Sequence, residues 1–234
     1  MAQFAPIIHG LSIVALPVLL AITFHEAAHG FVADRKGDPT AKYLGRLTLN
    51  PLVHIDPFGT ILLPLLLYVG PLLMTGQPGF VFGYAKPVPV NFMNLRRPKA
   101  DMVWVAAAGP LTNLALAVVS GMLLHGLGAL SDVRSVDLSG GGEPGFRIAE
   151  PIAQMLAYGV FINVALMLFN LLPIPPLDGG RVLVGLLPAG GSQWLAGLEP
   201  YGMFIVIALV FLDPFRIVYR ILGPLSSALI NLIL

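Results

Sequence analysis

Long apolar runs interrupted by proline and glycine set the pattern of this chain. Residues 5–32, 102–128, 149–172, 194–212 and 214–234 each form such a run, and each is long enough for a helix that crosses a bilayer, which takes about 20 apolar residues. The last run opens at Pro214, a residue suited to a first helical turn. A sixth stretch, 58–75, is similar in length but is broken by Gly59, Pro64, Gly70 and Pro71. Between the first and second runs, residues 34–100 are irregular. There Tyr43 to Leu49 alternates apolar with polar or small residues, which predicts a short strand stopped by Asn50-Pro51. Lys86-Pro87-Val88-Pro89-Val90-Asn91 predicts an extended edge segment, because proline is tolerated at sheet edges. Residues 131–147 are polar and glycine-rich and predict an exposed loop. The expected fold is an all-α membrane protein of five to six transmembrane helices, with a small β or re-entrant element between the first two core helices.

Composition agrees with this pattern. The 234 residues are 56% hydrophobic and 11% charged, against about 25% charged in an ordinary soluble domain. The apolar runs are continuous, whereas the strands of a membrane β-barrel alternate apolar and polar residues. The net charge of +1 and the lack of a basic patch exclude a nucleic-acid partner. With no cysteine, neither a disulfide nor a thiolate metal site can form. The N-terminal run lacks a basic leader, so it is expected to remain in the membrane and not to be removed as a signal.

One charged side chain, Glu26, interrupts the first 33 residues. A charge at bilayer depth costs roughly 2.5–3.5 kcal/mol on insertion scales, so its presence points to function. It lies in Phe24-His25-Glu26-Ala27-Ala28-His29-Gly30. On a helix, residues four apart share a face, so His25 and His29 can ligate one zinc ion while Glu26 acts as general base on water. A catalytic zinc usually takes a third protein ligand. Candidates are His9, His54, His125 and the acids, and one stretch stands out. In Asn170-Leu171-Leu172-Pro173-Ile174-Pro175-Pro176-Leu177-Asp178-Gly179-Gly180-Arg181, three prolines break the end of a span. Backbone freed at membrane depth must be buried or line a wet cavity, and Asp178 sits there beside two glycines that permit close backbone approach.

The H-E-x-x-H motif near the end of one span, paired with N-x-x-P-x-x-P-x-L-D-G far downstream, resembles the site-2 protease family of intramembrane zinc metalloproteases. Gly109-Pro110-Leu111-Thr112-Asn113 and Asn50-Pro51-Leu52-Val53-His54-Ile55-Asp56-Pro57 are similar to that family too. The likeness runs from about residue 20 to 185. It implies one Zn2+ per chain held by His25, His29 and Asp178, with Glu26 as the catalytic glutamate. It also implies that Asn170 and Pro176 shape the site and hold substrate. The substrate would be a transmembrane protein cut within or near its spanning helix, which must unwind locally first. The chain resembles a minimal member: one polytopic peptidase domain, 1–234, with a catalytic core at about 5–185 and a C-terminal helical hairpin at about 194–234. The partners are then that substrate and the lipid bilayer, in a prokaryotic cell membrane. An edge at 82–91 is a candidate for pairing with the unwound substrate.

A topological constraint follows. His29 and Asp178 must reach one metal, so the spans before them run in the same direction and only one net crossing separates them. Arg35, Lys36, Lys42 and Arg46 precede 58–75, and Lys86, Arg96, Arg97 and Lys99 follow it. By the positive-inside rule both flanks are cytoplasmic. Residues 58–75 are therefore expected to re-enter, with the site towards the cytoplasm, although Arg216 and Arg220 on the outer face run against the rule. Two competing classes are a transporter using Glu26, Asp178 and the histidines as an ion path, and a catalytically dead scaffold. No inverted repeat supports the first, and the intact Glu26 opposes the second. Asn113 is expected to pack or to bond between helices, His54 to fix its own loop, and Arg181 to anchor at the interface or pair locally, with Asp178 as one partner.

Overall fold

The computed structural model describes residues 5–76, 83–130, 149–212 and 218–234. Among the described residues it is helical, without a β-strand. The helices are α1 (Ala5–Lys36), α2 (Thr40–Tyr43), α3 (Leu63–Thr75), α4 (Pro98–Leu130), α5 (Ala149–Asn170), α6 (Asp178–Leu186), α7 (Ala189–Ala196), α8 (Glu199–Leu212) and α9 (Gly223–Ile233). Three are long and apolar enough to cross a membrane, over Ser12–Lys36, Pro98–Gly128 and Glu150–Asn170. The 21 residues of the shortest extend about 31 Å at 1.5 Å per residue, against a hydrocarbon core of about 30 Å. The chain is thus a multi-span helical membrane protein. The other apolar helices, Pro57–Leu72, Glu199–Leu209 and Arg220–Ile233, fall below that length, so the described residues carry three such spans where five to six were expected.

These three spans form the core. Small residues let the backbones approach: Ala21 and Ala33 on α1, Ala106 and Ala117 on α4, and Ala153 on α5 are all buried. Ala117 packs with Val160, Val164, Met167 and Leu168, and α9 covers this cluster through Leu229, Ile230 and Ile233. Large apolar side chains such as Leu16, Leu20, Leu111, Val119 and Phe161 point outward, which suits contact with lipid. The ends of α1 and α4 meet. The Arg96 N–H donates to the Lys36 carbonyl at 2.9 Å, and Lys36 pairs with Asp101 at 3.1 Å. α1 therefore ends at the membrane face where α4 begins, and α5 returns to that face at Asn170.

The predicted strand at 43–49 is absent. Tyr43 ends α2, and Gly45 at φ 65° turns the chain so that the Arg46 N–H bonds the Ala41 carbonyl at 2.8 Å. Alternating hydrophobicity here has no neighbouring strand to pair with. The 58–75 stretch starts as a π-helical turn, Pro57–Leu62, and continues as α3. Asp56 caps that turn by accepting from the N–H groups of Phe58 and Gly59. The Tyr84 N–H donates to the Gly59 carbonyl at 3.0 Å, and Thr60 Oγ1 donates to the Tyr84 carbonyl at 2.9 Å. The start of the interrupted stretch therefore lies beside Tyr84; residues 77–82, between α3 and that contact, lie outside the described residues. The polar stretch 131–147 lies outside the described residues.

A buried carboxylate ties this frame together. Gly37 at φ 114° ends α1, and the Asp38 N–H bonds back to the Ala33 carbonyl at 2.9 Å. Asp38 is fully buried and accepts from the Thr40 hydroxyl, from Asn94 Nδ2 at 2.9 Å, from the Asn91 N–H at 2.6 Å and from the Thr40 N–H at 3.2 Å. Burial alone would raise its pKa. The Thr40 and Asn94 side chains and the two backbone donors outweigh that and hold it below the usual carboxylate range. A depressed carboxylate pKa contributes stability above the unfolded-state value and loses it as pH falls through the folded one. Thermal unfolding in detergent is therefore expected to show wild type losing stability below about pH 4. Asp38→Ala, which removes the shared acceptor of four donors, should cost about 1–3 kcal/mol at neutral pH and flatten that acid limb.

Candidate metal centre

His25 and His29 lie one turn apart on α1, and their ring centroids are 4.7 Å apart in an edge-to-face arrangement. The two Nε2 atoms are separated by 3.1 Å. Asp178 Oδ2 lies 3.1 Å from His25 Nε2 and 3.3 Å from His29 Nε2. All three residues are buried, at 7%, 9% and 7% exposure, and they are the group of metal-ligating side chains that the described residues bring together. A tetrahedral zinc with bonds of about 2.0 Å holds its ligand atoms roughly 3.3 Å apart.

The tautomers follow from the hydrogen bonds. The Gly159 carbonyl can only accept, so Asn163 donates to it through Nδ2 at 2.8 Å. Asn163 Oδ1 then accepts from Asn113 Nδ2 at 2.8 Å, and Asn113 Oδ1 accepts from His25 Nδ1–H. His29 Nδ1–H donates to the Val105 carbonyl at 2.7 Å. Both Nδ1 atoms therefore carry hydrogen, and both Nε2 atoms present lone pairs to one point. Asp178 Oδ2 faces the same point and has no hydrogen-bond donor. Two lone pairs and a carboxylate oxygen repel unless a cation sits between them, so the donor set fits zinc.

Local sequence explains the placement. Gly109 of α4 lies against both imidazoles; a Cβ there would come within 2.5 Å of His25 Cε1 and His29 Nε2. Asp178 opens α6, and the N-cap of that helix is Leu177, so Asp178 is not spent on capping. The 171–177 segment folds back over the start of α6. Cβ atoms at Gly179 and Gly180 would meet the Leu171 and Leu172 carbonyls and the Ile174-Pro175 backbone. Pro175-Pro176 is a cis pair, and Gly202 of α8 packs directly on it.

Other expected residues fall elsewhere. Asn170 Nδ2 donates to the Leu166 carbonyl of its own helix at 3.0 Å, and Pro176 is half-buried in the loop; neither belongs to the ligand cluster. Asn113 does bond between helices. His54 fixes its own loop by donating to the Thr48 carbonyl at 2.9 Å. Arg181 pairs with Glu199 at 2.9 Å and stacks over Phe92, leaving Asp178 to the histidines. The edge expected at 82–91 is already in use along 84–88: the N–H groups of Tyr84, Lys86 and Val88 donate to the Gly59 carbonyl, the His54 carbonyl and Glu26 Oε2. Asn163 was missed. Its signal was an amide in an apolar span, the criterion that singled out Glu26.

A multi-span helical protein with a buried two-histidine, one-carboxylate centre beside a glutamate defines the class of membrane metallopeptidases. Residues 145–212 match Peptidase family M50. The chain is 38% identical over 199 residues to "Putative zinc metalloprotease YwhC" of Bacillus subtilis, covering 85% of this chain and 80% of that protein. It is 33% identical over 193 residues to "Putative zinc metalloprotease Rip2" of Mycolicibacterium smegmatis, covering 82% of this chain. The Rip2 of Mycobacterium tuberculosis strain H37Rv is 30% identical over 201 residues. The chain spans 64% and 65% of the length of these two mycobacterial proteins. No solved structure matches it. The chain belongs to peptidase family M50, the site-2 protease family; it is a zinc metalloprotease and its cofactor is Zn2+.

Gly109→Ala is expected to push both imidazoles out of register and to strip zinc from the purified protein. Asn113→Leu, which removes the acceptor for His25 Nδ1–H, should weaken zinc about 10–100-fold in a chelator competition. Zinc affinity equal to wild type in both variants would show that α4 does not set the imidazoles.

Proposed function

We propose that the protein is an intramembrane endopeptidase that hydrolyses a peptide bond within or next to a transmembrane helix of a membrane-protein substrate. His25, His29 and Asp178 are the zinc ligands and Glu26 is the general base. The observation that carries this reading is the convergence of the two Nε2 lone pairs and Asp178 Oδ2 beside Glu26, between three membrane spans. His29 lies seven residues before the end of α1, about 10 Å along the axis, a depth at which a substrate helix still lies in the bilayer.

When bound, zinc activates water at neutral pH and polarises the scissile carbonyl. Glu26 accepts the proton of the attacking water and returns it to the leaving amide nitrogen. The Asn113–Asn163 pair and the Val105 carbonyl fix the tautomer and the aim of the imidazoles, so the ligands do not reorganise during reaction. The substrate backbone must leave its helix before it reaches these groups, so small or helix-breaking residues near the scissile bond favour cleavage.

The N-terminus lies outside and the site faces the cytoplasm of a prokaryotic cell. This orientation is supported by Arg35, Lys36, Lys42, Arg46, Lys86, Arg96, Arg97 and Lys99, which lie at the adjoining ends of α1 and α4 or in the connection between them. Residues 1–234 act as one peptidase domain. The short apolar helices α8 and α9 complete its spans as a C-terminal hairpin, which α9 supports by packing on the α4–α5 core.

Glu26→Gln is expected to retain zinc and to lose cleavage of a single-span peptide in proteoliposomes by at least about 100-fold; undiminished cleavage would sink the general-base assignment. Reporter fusions within residues 84–99 should give cytoplasmic signals, and periplasmic signals there would reverse the orientation.

A further inference from the structure

Residues 84–91 form an extended strap across α1 beside the metal centre, held in place from outside. The Tyr84 and Lys86 N–H groups donate to the carbonyls of Gly59 and His54 at 3.0 and 2.9 Å. Arg46, itself buried, donates through Nη2 to the Lys86 carbonyl at 2.9 Å and to that of Pro87 at 3.4 Å. The Asn91 N–H is held by Asp38 at 2.6 Å. Between these ties, the Val88 N–H donates to Glu26 Oε2 at 2.6 Å. The Val88 side chain is buried against Gly30, where a Cβ would lie 3.0 Å from its Cγ1. Pro87 and Pro89 have no N–H, so Val88 supplies the only backbone donor of this three-residue span.

We propose that the Val88 amide positions the general base, and that Arg46 is the positioning residue that holds the strap to do so. This rests on Glu26 as the base. A glutamate turns about three side-chain torsions, and a short charge-assisted bond to one carboxylate oxygen removes most of that freedom. Oε2 is occupied by the amide, and Oε1 is left to take the proton from water. The donor is backbone, tied through Arg46 and Asp38 to the ends of the connection between α1 and α4, so the carboxylate is oriented before substrate arrives. The same frame gives a reason for a buried arginine outside the ligand group: its targets are carbonyls of the strap.

The test compares Val88→Pro with Val88→Ala. Both lose the valine side chain, only the first loses the N–H, and proline suits an already extended Pro-x-Pro segment. Kinetics use the best-cleaved member of a panel of single-span peptides, each with a glycine or proline near its cytoplasmic end. With zinc content equal, Val88→Pro is expected to have a kcat about 10–100-fold below that of Val88→Ala with KM within about twofold, as for a misplaced catalytic group. Equal kcat, a faster Val88→Pro enzyme, or a change in KM alone overturns the proposal; the last two would make the strap an obstruction or a substrate contact. Should Val88→Pro lose zinc, Arg46→Ala decides: kcat should fall and Arg46→Lys should recover part of it, and an unchanged kcat overturns the proposal. Independently of cleavage, hydrogen–deuterium exchange at the Val88 amide should be at least about tenfold faster in Glu26→Ala than in wild type; equal exchange removes the contact itself. A Glu26→Gln enzyme that still cleaves defeats the base reading, whereas inactive Glu26→Gln with equal Val88 variants defeats only the strap.

Discussion

Three buried electron-pair donors converge on one point, and most of the architecture answers to that convergence. Two imidazole nitrogens 3.1 Å apart and a carboxylate oxygen within 3.3 Å of both are tolerable away from water only around a cation. Holding them there needs α1 and the start of α6 at one membrane face, and hence two parallel spans, α1 and α5, with α4 running back between them. α4 meets this demand at three successive positions. It offers the Val105 carbonyl to His29, the bare Cα of Gly109 to both rings, and Asn113 to His25. A bulkier α4 would hold the rings apart, and a less polar one would leave their protons unassigned.

The same residues show how a polar site is tolerated inside an apolar core. The chain from His25 through Asn113 and Asn163 ends on the Gly159 carbonyl, so each described donor in it has an acceptor and none is left exposed to hydrocarbon. Asn163 therefore does two things at once. It satisfies the second amide of a helix-to-helix bond, and it passes the direction of donation from a backbone carbonyl to the metal face of His25. Small residues along α1, α4 and α5 bring the backbones close enough for side chains this short to meet.

The candidate site groups were legible in the sequence because their chemistry is expensive. Glu26 in an apolar run, two histidines one turn apart, and Asp178 after a proline break are each costly without a partner; His25, His29 and Asp178 come together, and Glu26, next to His25 in the chain, accepts from the Val88 N–H. Asn113 was legible as a link between helices for the same reason. Asn163 was not, since one amide in a span does not name its partner, and only the crossing of α4 and α5 reveals it. The strand expected at 43–49 failed for a different reason. Period-two alternation shows which side chains share a face, but a strand also needs a neighbour, and Gly45 turns the chain away from one. Residues 58–75 had the composition of a span, and the tie between Thr60 and Tyr84 depends on residues 24 positions apart.

The strap illustrates how one sequence pattern supports two structures that differ in function. Lys86-Pro87-Val88-Pro89 suits a free sheet edge, because prolines there discourage unwanted pairing. In the folded chain the alternation is used the other way round. Along the strap the N–H groups of residues 84, 86 and 88 are all bonded within the protein. At 87 and 89 proline leaves nothing to donate, and the Pro87 carbonyl is already bonded by Arg46. A second strand laid along this segment would find few free amides, and could not build a regular ladder. The segment is thus a poor template for an incoming backbone and a good rigid mount for a single amide. That asymmetry is the physical reason to connect it with the carboxylate of Glu26 and not with the substrate.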